Sequence, residues 1–214
     1  TGVQTCALPI LLAAADAVAT GEMTCAFCAV RPPGHHAEHA QAMGFCLFNN
    51  IALVAEHLIR NHGLKRIAIV DFDVHHCNGT QHSFEGRPDV FVASCHEHPR
   101  FQFPGTGYSH ENGVADGLGA TLNVPFLPGA GDDVVKPAFD EKIIPALDTF
   151  KPQILLISAG FDAVVSDPLG GLNFSVECFG WITERLCGVA DRHCDGRIVS
   201  ILEGGYDLEG LSTS

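Results

Sequence analysis

The run Arg66-Ile-Ala-Ile-Val-Asp-Phe-Asp-Val-His-His76 joins two kinds of chemistry without a break. Through Val70 it is a continuous apolar stretch, rich in β-branched residues. Such a stretch reads as a central parallel strand covered on both faces, because a half-exposed strand would alternate apolar with polar side chains. From Asp71 onward it carries carboxylates and imidazoles. Asp71, Asp73 and His75 stand two residues apart, and in extended chain that spacing turns all three side chains to one side. A buried strand ending in metal-ligating side chains predicts a site at the carboxyl edge of a sheet.

The flanking sequence repeats the pattern of apolar strand and amphipathic helix. Leu11 to Thr20 is Ala-rich and helix-forming, with Gly21 to end it. Cys25 to Val30 reads as a buried strand. Asn49 or Asn50 can cap a helix whose apolar positions are Ile51, Val54, Leu58 and Ile59 and which stops at Asn61-His-Gly63. Further strands are expected at 90–94, 153–158 and 197–202, and helices at about 133–150 and 175–192. Pro137 and Pro145 predict a late start or a kink in the first of these helices. The segment 96–131, rich in Gly and Pro, reads as long loops. Repeated β-then-α order predicts an α/β fold with three layers, helices on both faces of a mostly parallel central sheet.

Composition narrows the function. With 214 residues, 46% of them hydrophobic, the chain can bury one sizeable core, so a single domain is expected. A net charge of −13 without a Lys/Arg cluster argues against a nucleic-acid surface. No apolar stretch reaches the ~18 residues that would span a membrane. Nine irregularly spaced cysteines suggest reduced thiols in the cytoplasm rather than a disulfide framework. Cys25 and Cys28, a C-x-x-C pair inside an apolar run, read as small core residues. Residues 1–10, Thr-Gly-Val-Gln-Thr-Cys-Ala-Leu-Pro-Ile, look like the translation of a sequencing-adapter oligonucleotide, so the domain is expected to occupy 11–214, truncated at both ends.

Three other segments bring reactive side chains to strand ends: Arg31-Pro-Pro-Gly-His-His-Ala37, Ser158-Ala-Gly-Phe-Asp162 and Glu203-Gly-Gly-Tyr206. Any one such His or Asp is ordinarily a hydrogen-bonded loop residue. Four converging on one edge point to a site. Asp73 and His75 can grip one ion, and Asp162 completes a three-ligand set that leaves coordination positions open, as catalytic zinc requires.

These motifs, together with Gly44-Phe45, Asn78-Gly-Thr80, Phe103-Pro-Gly-Thr-Gly107 and Asp167-Pro-Leu-Gly170, resemble the histone deacetylase superfamily, specifically its class II and bacterial deacetylase-like branch. The match runs over nearly the whole chain from Leu11. It implies an arginase/deacetylase-like fold and zinc-dependent hydrolysis of an acetyl-lysine amide, with an acetylated lysine peptide or small acylated amine as substrate. Zinc would sit on Asp73, His75 and Asp162. His36, paired with Asn78, would be the general base, and His35, paired with Asp71, its electrostatic partner. Tyr206 would donate to the developing oxyanion. Gly44, Phe45 and Phe103 would line the acyl-lysine channel, with Leu169 at its rim. The resemblance also implies a structural potassium near Asp71, Asp73, His75, Ser94 and Cys95, and a second near Phe84, Arg87 and Val90.

Some residues discriminate among relatives. Tyr206 stands where certain class II members carry a less competent His. Leu169 leans away from acetylpolyamine amidohydrolases, the alternative substrate class, whose rim is acidic. Ala163-Val-Val165 after Asp162 lacks the carboxylates that arginase-type binuclear manganese enzymes need. Cys77 replaces a Gly usual after the His pair and would carry strain if the backbone there needs positive φ. Val164, Val165 and Ser166 replace polar residues, and the family's N-terminal loop with its substrate-orienting acidic residue has no counterpart. A metal-binding fragment without turnover is therefore the competing expectation.

Overall fold

A computed structural model describes residues 4–214. In chain order the elements are α1 (Gln4–Ala19), β1 (Cys25–Cys28), α2 (Asn50–His62), β2 (Ile67–Asp71), α3 (Asn78–Phe84), β3 (Val90–Glu97) and β4 (Thr121–Phe126), followed by α4 (Asp132–Ala138), α5 (Ile144–Phe150), β5 (Ile154–Ala159), α6 (Val176–His193), β6 (Ile198–Leu202) and α7 (Leu208–Thr213). The six strands form one all-parallel sheet in the order β1-β6-β5-β2-β3-β4.

The period of two in β2 and β5 builds both halves of the core. Ala68, Val70, Leu155 and Ile157 face a cluster completed by Val135, Phe139, Leu147, Phe179 and Leu186 of the later helices. Ile67, Ile69, Ile154 and Leu156 face the opposite cluster, against Leu11, Val18, Val54 and Leu58 of α1 and α2. Both faces of β2 are dry, as its continuous apolar run predicts.

Local signals explain the helix ends. Asn49, not Asn50, caps α2: its side chain accepts from Ala52 N at 3.0 Å, while Asn50 donates to the Pro32 carbonyl. Gly63 ends α2 at φ 68°, a left-handed conformation that glycine adopts without penalty. Ser175 caps α6 by accepting from Cys178 N. Between α4 and α5 the helix widens into a π turn at Phe139–Ile143, with Ile144 N–H reaching back to the Phe139 carbonyl. The slip falls one residue before Pro145, which has no N–H to donate, so the predicted kink is a local change of register.

Four expectations need correction. The first helix starts at Gln4 rather than Leu11, and Ala7 is buried with Leu11; the reading of residues 1–3 lies outside the described residues. β1 is an edge strand, not a buried one: Cys25 and Phe27 are exposed and Cys28 is buried, so the C-x-x-C residues do not pair. β3 continues to Glu97. Part of the expected loop is the strand β4, which tolerates Pro125 because it forms the other edge of the sheet.

Candidate active site

The strand order reverses between β2 and β5: the chain runs from β2 outward through β3 to β4, then returns to β5 and β6 on the other side. At such a switch the loops leaving the two strands diverge and open a crevice at their carboxyl ends. Asp73 and His75 follow β2 there, and Asp162 follows β5.

Strand pairing of β2 ends at Asp71, but the alternation of side chains persists beyond it. Phe72 and Val74 enter the core while Asp73 and His75 face the crevice. The Nδ1 atom of His75 lies 2.9 Å from Asp73 Oδ1 and 3.1 Å from Asp162 Oδ2. One ligand atom from each of the three residues falls within 4.8 Å of the others, and all three residues are buried. Backbone N–H groups aim the carboxylates: His75 N and Gly204 N donate to Asp73 at 2.9 and 2.8 Å, and Val74 N donates to Asp162 at 2.9 Å.

This arrangement concentrates negative charge. Burial and the neighbouring Asp73 push the Asp162 carboxyl up to about 7. Burial works against a charge on His75, yet the Asp162 and Asp73 carboxylates push its imidazole up to about 10. Two buried anions sharing one imidazole carry a repulsion that a dication relieves. One nitrogen and two carboxylate donors suit zinc, with room left for water and a substrate oxygen.

Beside this triad, His35 and His36 stack with ring centroids 4.0 Å apart, and His36 lies 5.8 Å from the ring of His75. Each has a different partner. His36 Nδ1 donates to Asn78 Oδ1 at 2.7 Å, leaving Nε2 as its free basic atom; Asn78 in turn donates to Glu38. His35 Nδ1 meets Asp71 Oδ2 at 2.9 Å. Burial opposes a charge on His35, but Asp71, Asp73 and Glu203 hold its imidazole well above the ordinary range. Burial and the cation on His35 push His36 down to about 2, so its ring is neutral at neutral pH.

Residues expected to line a substrate channel lie close by. Phe103 packs edge-on against His36 at 5.0 Å, and the ring of Phe45 lies 6.0 Å from that of Tyr206. Both phenylalanines, and Leu169, are exposed. Gly44 has φ 55°, and a Cβ on it would overlap the His36 ring. Burial and the Asp73 and Asp162 carboxylates raise the Tyr206 hydroxyl, keeping it protonated as a donor.

The potassium residues are only partly brought together. Asp71 and Ser94 are register partners on β2 and β3, but the Ser94 hydroxyl already meets His96 Nδ1 at 2.8 Å. The Phe84 carbonyl accepts from Arg87 N, and the Arg87 guanidinium pairs with Asp89 and Glu56. Cys77 has φ −79°, so the strain expected of it is absent.

Two carboxylates of the quoted motifs, Glu203 and Asp167, were given no role by the sequence, and a third, Glu38, follows directly on the Arg31–Ala37 motif. Glu203 accepts from Gly34 N at 2.6 Å and His35 N at 3.1 Å, fixing the loop that presents both histidines. Asp167 accepts from Tyr206 N at 2.7 Å and Leu169 N at 2.9 Å, tying the Tyr206 backbone to that of Leu169. Glu38 closes the Asn78 relay. The signal for Glu203 was available, since a carboxylate at the end of an apolar strand must find donors when buried.

The histone deacetylase domain family model matches residues 4–214. The chain belongs to the histone deacetylase family. Among curated relatives, the domain is 50% identical to "Histone deacetylase 10, chloroplastic" of Oryza sativa subsp. japonica, over 88% of this chain and 42% of that protein. It is 43% identical to "Histone deacetylase-like amidohydrolase" of Pseudomonas aeruginosa, over 92% of this chain and 52% of that one. The solved structure of the HDA15 HD domain superposes with a TM-score of 0.92 at 41% identity, covering 97% of this chain and 58% of the other. The chain thus spans about half the length of the relatives it matches.

Proposed function

We propose that this domain hydrolyses the acetyl amide of acetyl-lysine-type substrates to acetate and free amine, with one zinc ion held by Asp73, His75 and Asp162. The observation that carries the reading is the buried Asp-His-Asp set facing two differently tuned histidines at the switch point of the sheet. When bound, zinc supplies Lewis-acid polarisation of the amide carbonyl and lowers the pKa of water in the site towards ~7.

The protein's own groups do the rest. His36 Nε2, neutral and directed by Asn78, takes a proton from water as the water oxygen bonds to the carbonyl carbon. The same proton passes to the amine nitrogen as the C–N bond breaks, leaving acetic acid and a neutral amine; the acid's own proton then passes to the amine, giving acetate and an ammonium ion. His35, held cationic by Asp71, stabilises the negative charge that develops nearby. Tyr206 donates its hydroxyl to the oxyanion. Phe45 and Phe103 offer apolar walls to the aliphatic stem of the substrate, and the uncharged Leu169 at the rim favours lysine-type over polyamine substrates. Potassium near Asp71 and Ser94, and a second ion near Phe84, Arg87 and Val90, belong to the same proposal. The free thiols of the described cysteines suit a reducing compartment such as the cytoplasm.

Acetate release from an acetyl-lysine peptide, with zinc content measured in parallel, tests this reading. Asp162→Ala is expected to lose both the catalytic ion and turnover. Normal turnover in that variant, or a chain that binds zinc at this site and releases no acetate, would sink the proposal for this domain.

A further inference from the structure

Outside the active site, a second set of metal-ligating side chains converges at the other end of the molecule. α2 begins at the Asn49 cap beside the catalytic loop and ends at His62, where the chain turns into the start of β2. In the last turns of α2, His57 and His62 both aim Nε2 at Asp16 Oδ1 of α1, each at 2.6 Å. Their rings meet edge to face with centroids 5.8 Å apart. The three ligand atoms lie within 4.8 Å of one another. The histidine side chains are 16% and 20% exposed and that of Asp16 48%, so the cluster is framed by protein yet open to solvent on one side.

Nothing in the spacing of α2 announces Asp16 as a partner for His57 and His62. The fold supplies the third donor. We propose that Asp16, His57 and His62 form a second divalent-metal site, zinc-like in its ion preference, that clips α1 to α2. Two imidazoles and one carboxylate suit zinc, and the open side leaves space for water as the remaining ligand.

Tetrahedral zinc at ordinary bond lengths separates its donor atoms by roughly 3.3 Å, somewhat more than the 2.6 Å seen here. The half-exposed Asp16 carboxylate can supply that opening by turning about its own side chain. Asn61 completes the surroundings: its side-chain amide lies 2.9 Å from His57 Nδ1. A half-turn of that amide presents its oxygen to Nδ1–H and leaves the Nε2 lone pair for the ion, the support that ligating histidines commonly receive. No step of the proposed deacetylation uses this site, so its role is to hold α1 against α2.

Metal-stripped protein reloaded with Zn2+, dialysed and counted by mass spectrometry tests the assignment. The parent is expected to hold two ions per chain, Asp162→Ala one, and the His57→Gln/His62→Gln double variant one. Circular dichroism of each variant checks the fold. Asp16→Asn, a near-isosteric change at a half-exposed position, should weaken uptake at this site at least tenfold. The double variant should keep its deacetylase rate, and in an Asp162→Ala background Zn2+ should raise the unfolding midpoint when His57 and His62 are present but not when both are changed to Gln. A parent that binds a single ion lost in Asp162→Ala overturns the clip and leaves the catalytic reading standing. A single ion that survives Asp162→Ala but is lost from the double variant does the reverse. Stoichiometry unchanged by the histidine substitutions also overturns the clip.

Discussion

Tyr206 and Gly204 sit two residues apart and fail in different ways when changed. In the proposed mechanism the Tyr206 hydroxyl donates to charge that exists only during reaction, so Tyr206→Phe should lower kcat by about 10²- to 10³-fold while zinc content stays at the parent value. Parallel rate and metal measurements check this; loss of metal would mean the hydroxyl supports the ground-state site. Gly204 instead makes room for ligands. A Cβ there would overlap the Asp162 and Asp73 carboxylates, and Gly204 N donates to Asp73. Gly204→Ala is therefore expected to release the catalytic ion and abolish turnover even though no reacting group is altered. Retained zinc with normal turnover would show that the carboxylates move aside freely.

At the scale of elements, Asp132 joins two helices that the sequence separates by more than forty residues. Its carboxylate accepts from Ser175 N at 3.0 Å and Ser175 Oγ at 2.7 Å, and pairs with Lys136, so the start of α4 is tied to the cap of α6. Burial resists the charge, but the Ser175 and Lys136 donors hold the carboxyl down to about 2. A group with folded pKa below its unfolded value of ~3.9 stabilises the fold above that value and loses the contribution as pH falls towards 2. Asp132→Asn should thus cost about 1 kcal/mol at neutral pH, and the gap from the parent should close between pH ~4 and ~2. Urea unfolding at several pH values measures it, and a gap that persisted at the acid end would contradict the charge-based account.

At the scale of the molecule, Asp73 and Asp162 crowd together between the loops after β2 and β5, on opposite sides of the strand-order reversal. Folding without a cation must hold those carboxylates near one another in a dry place, so binding of the proposed ion would be thermodynamically linked to folding. An ion present at a hundred times its Kd adds about 2.7 kcal/mol, which in a domain of this size corresponds to roughly 5–10 °C in Tm. Chelation should therefore lower Tm by about that much, and Asp162→Ala should abolish the part of the shift due to the catalytic ion. A midpoint indifferent to chelator in the parent would show that the carboxylates are accommodated without metal.

The sequence by itself determined what is local or repeated. The dry run of β2, the Gly63 stop, the start of α2 at Asn49 or Asn50 and the strand-end motifs are written in neighbouring residues, because periodicity and backbone preference act over a few positions. The resemblance to deacetylases then assigned Asp73, His75 and Asp162 as one ligand set, and the structure brings them together. Tertiary structure decided what depends on which segments become neighbours. It made β1 and β4 the edges of the sheet, so that Phe27 is exposed and Pro125 is tolerated. It brought Glu203 beneath the His35 loop and Asp167 behind Tyr206. It also set Asp16 of α1 against His57 and His62 of α2. These contacts cross long loops, and their partners are chosen by how helices pack on a twisted sheet, which no short window of sequence contains.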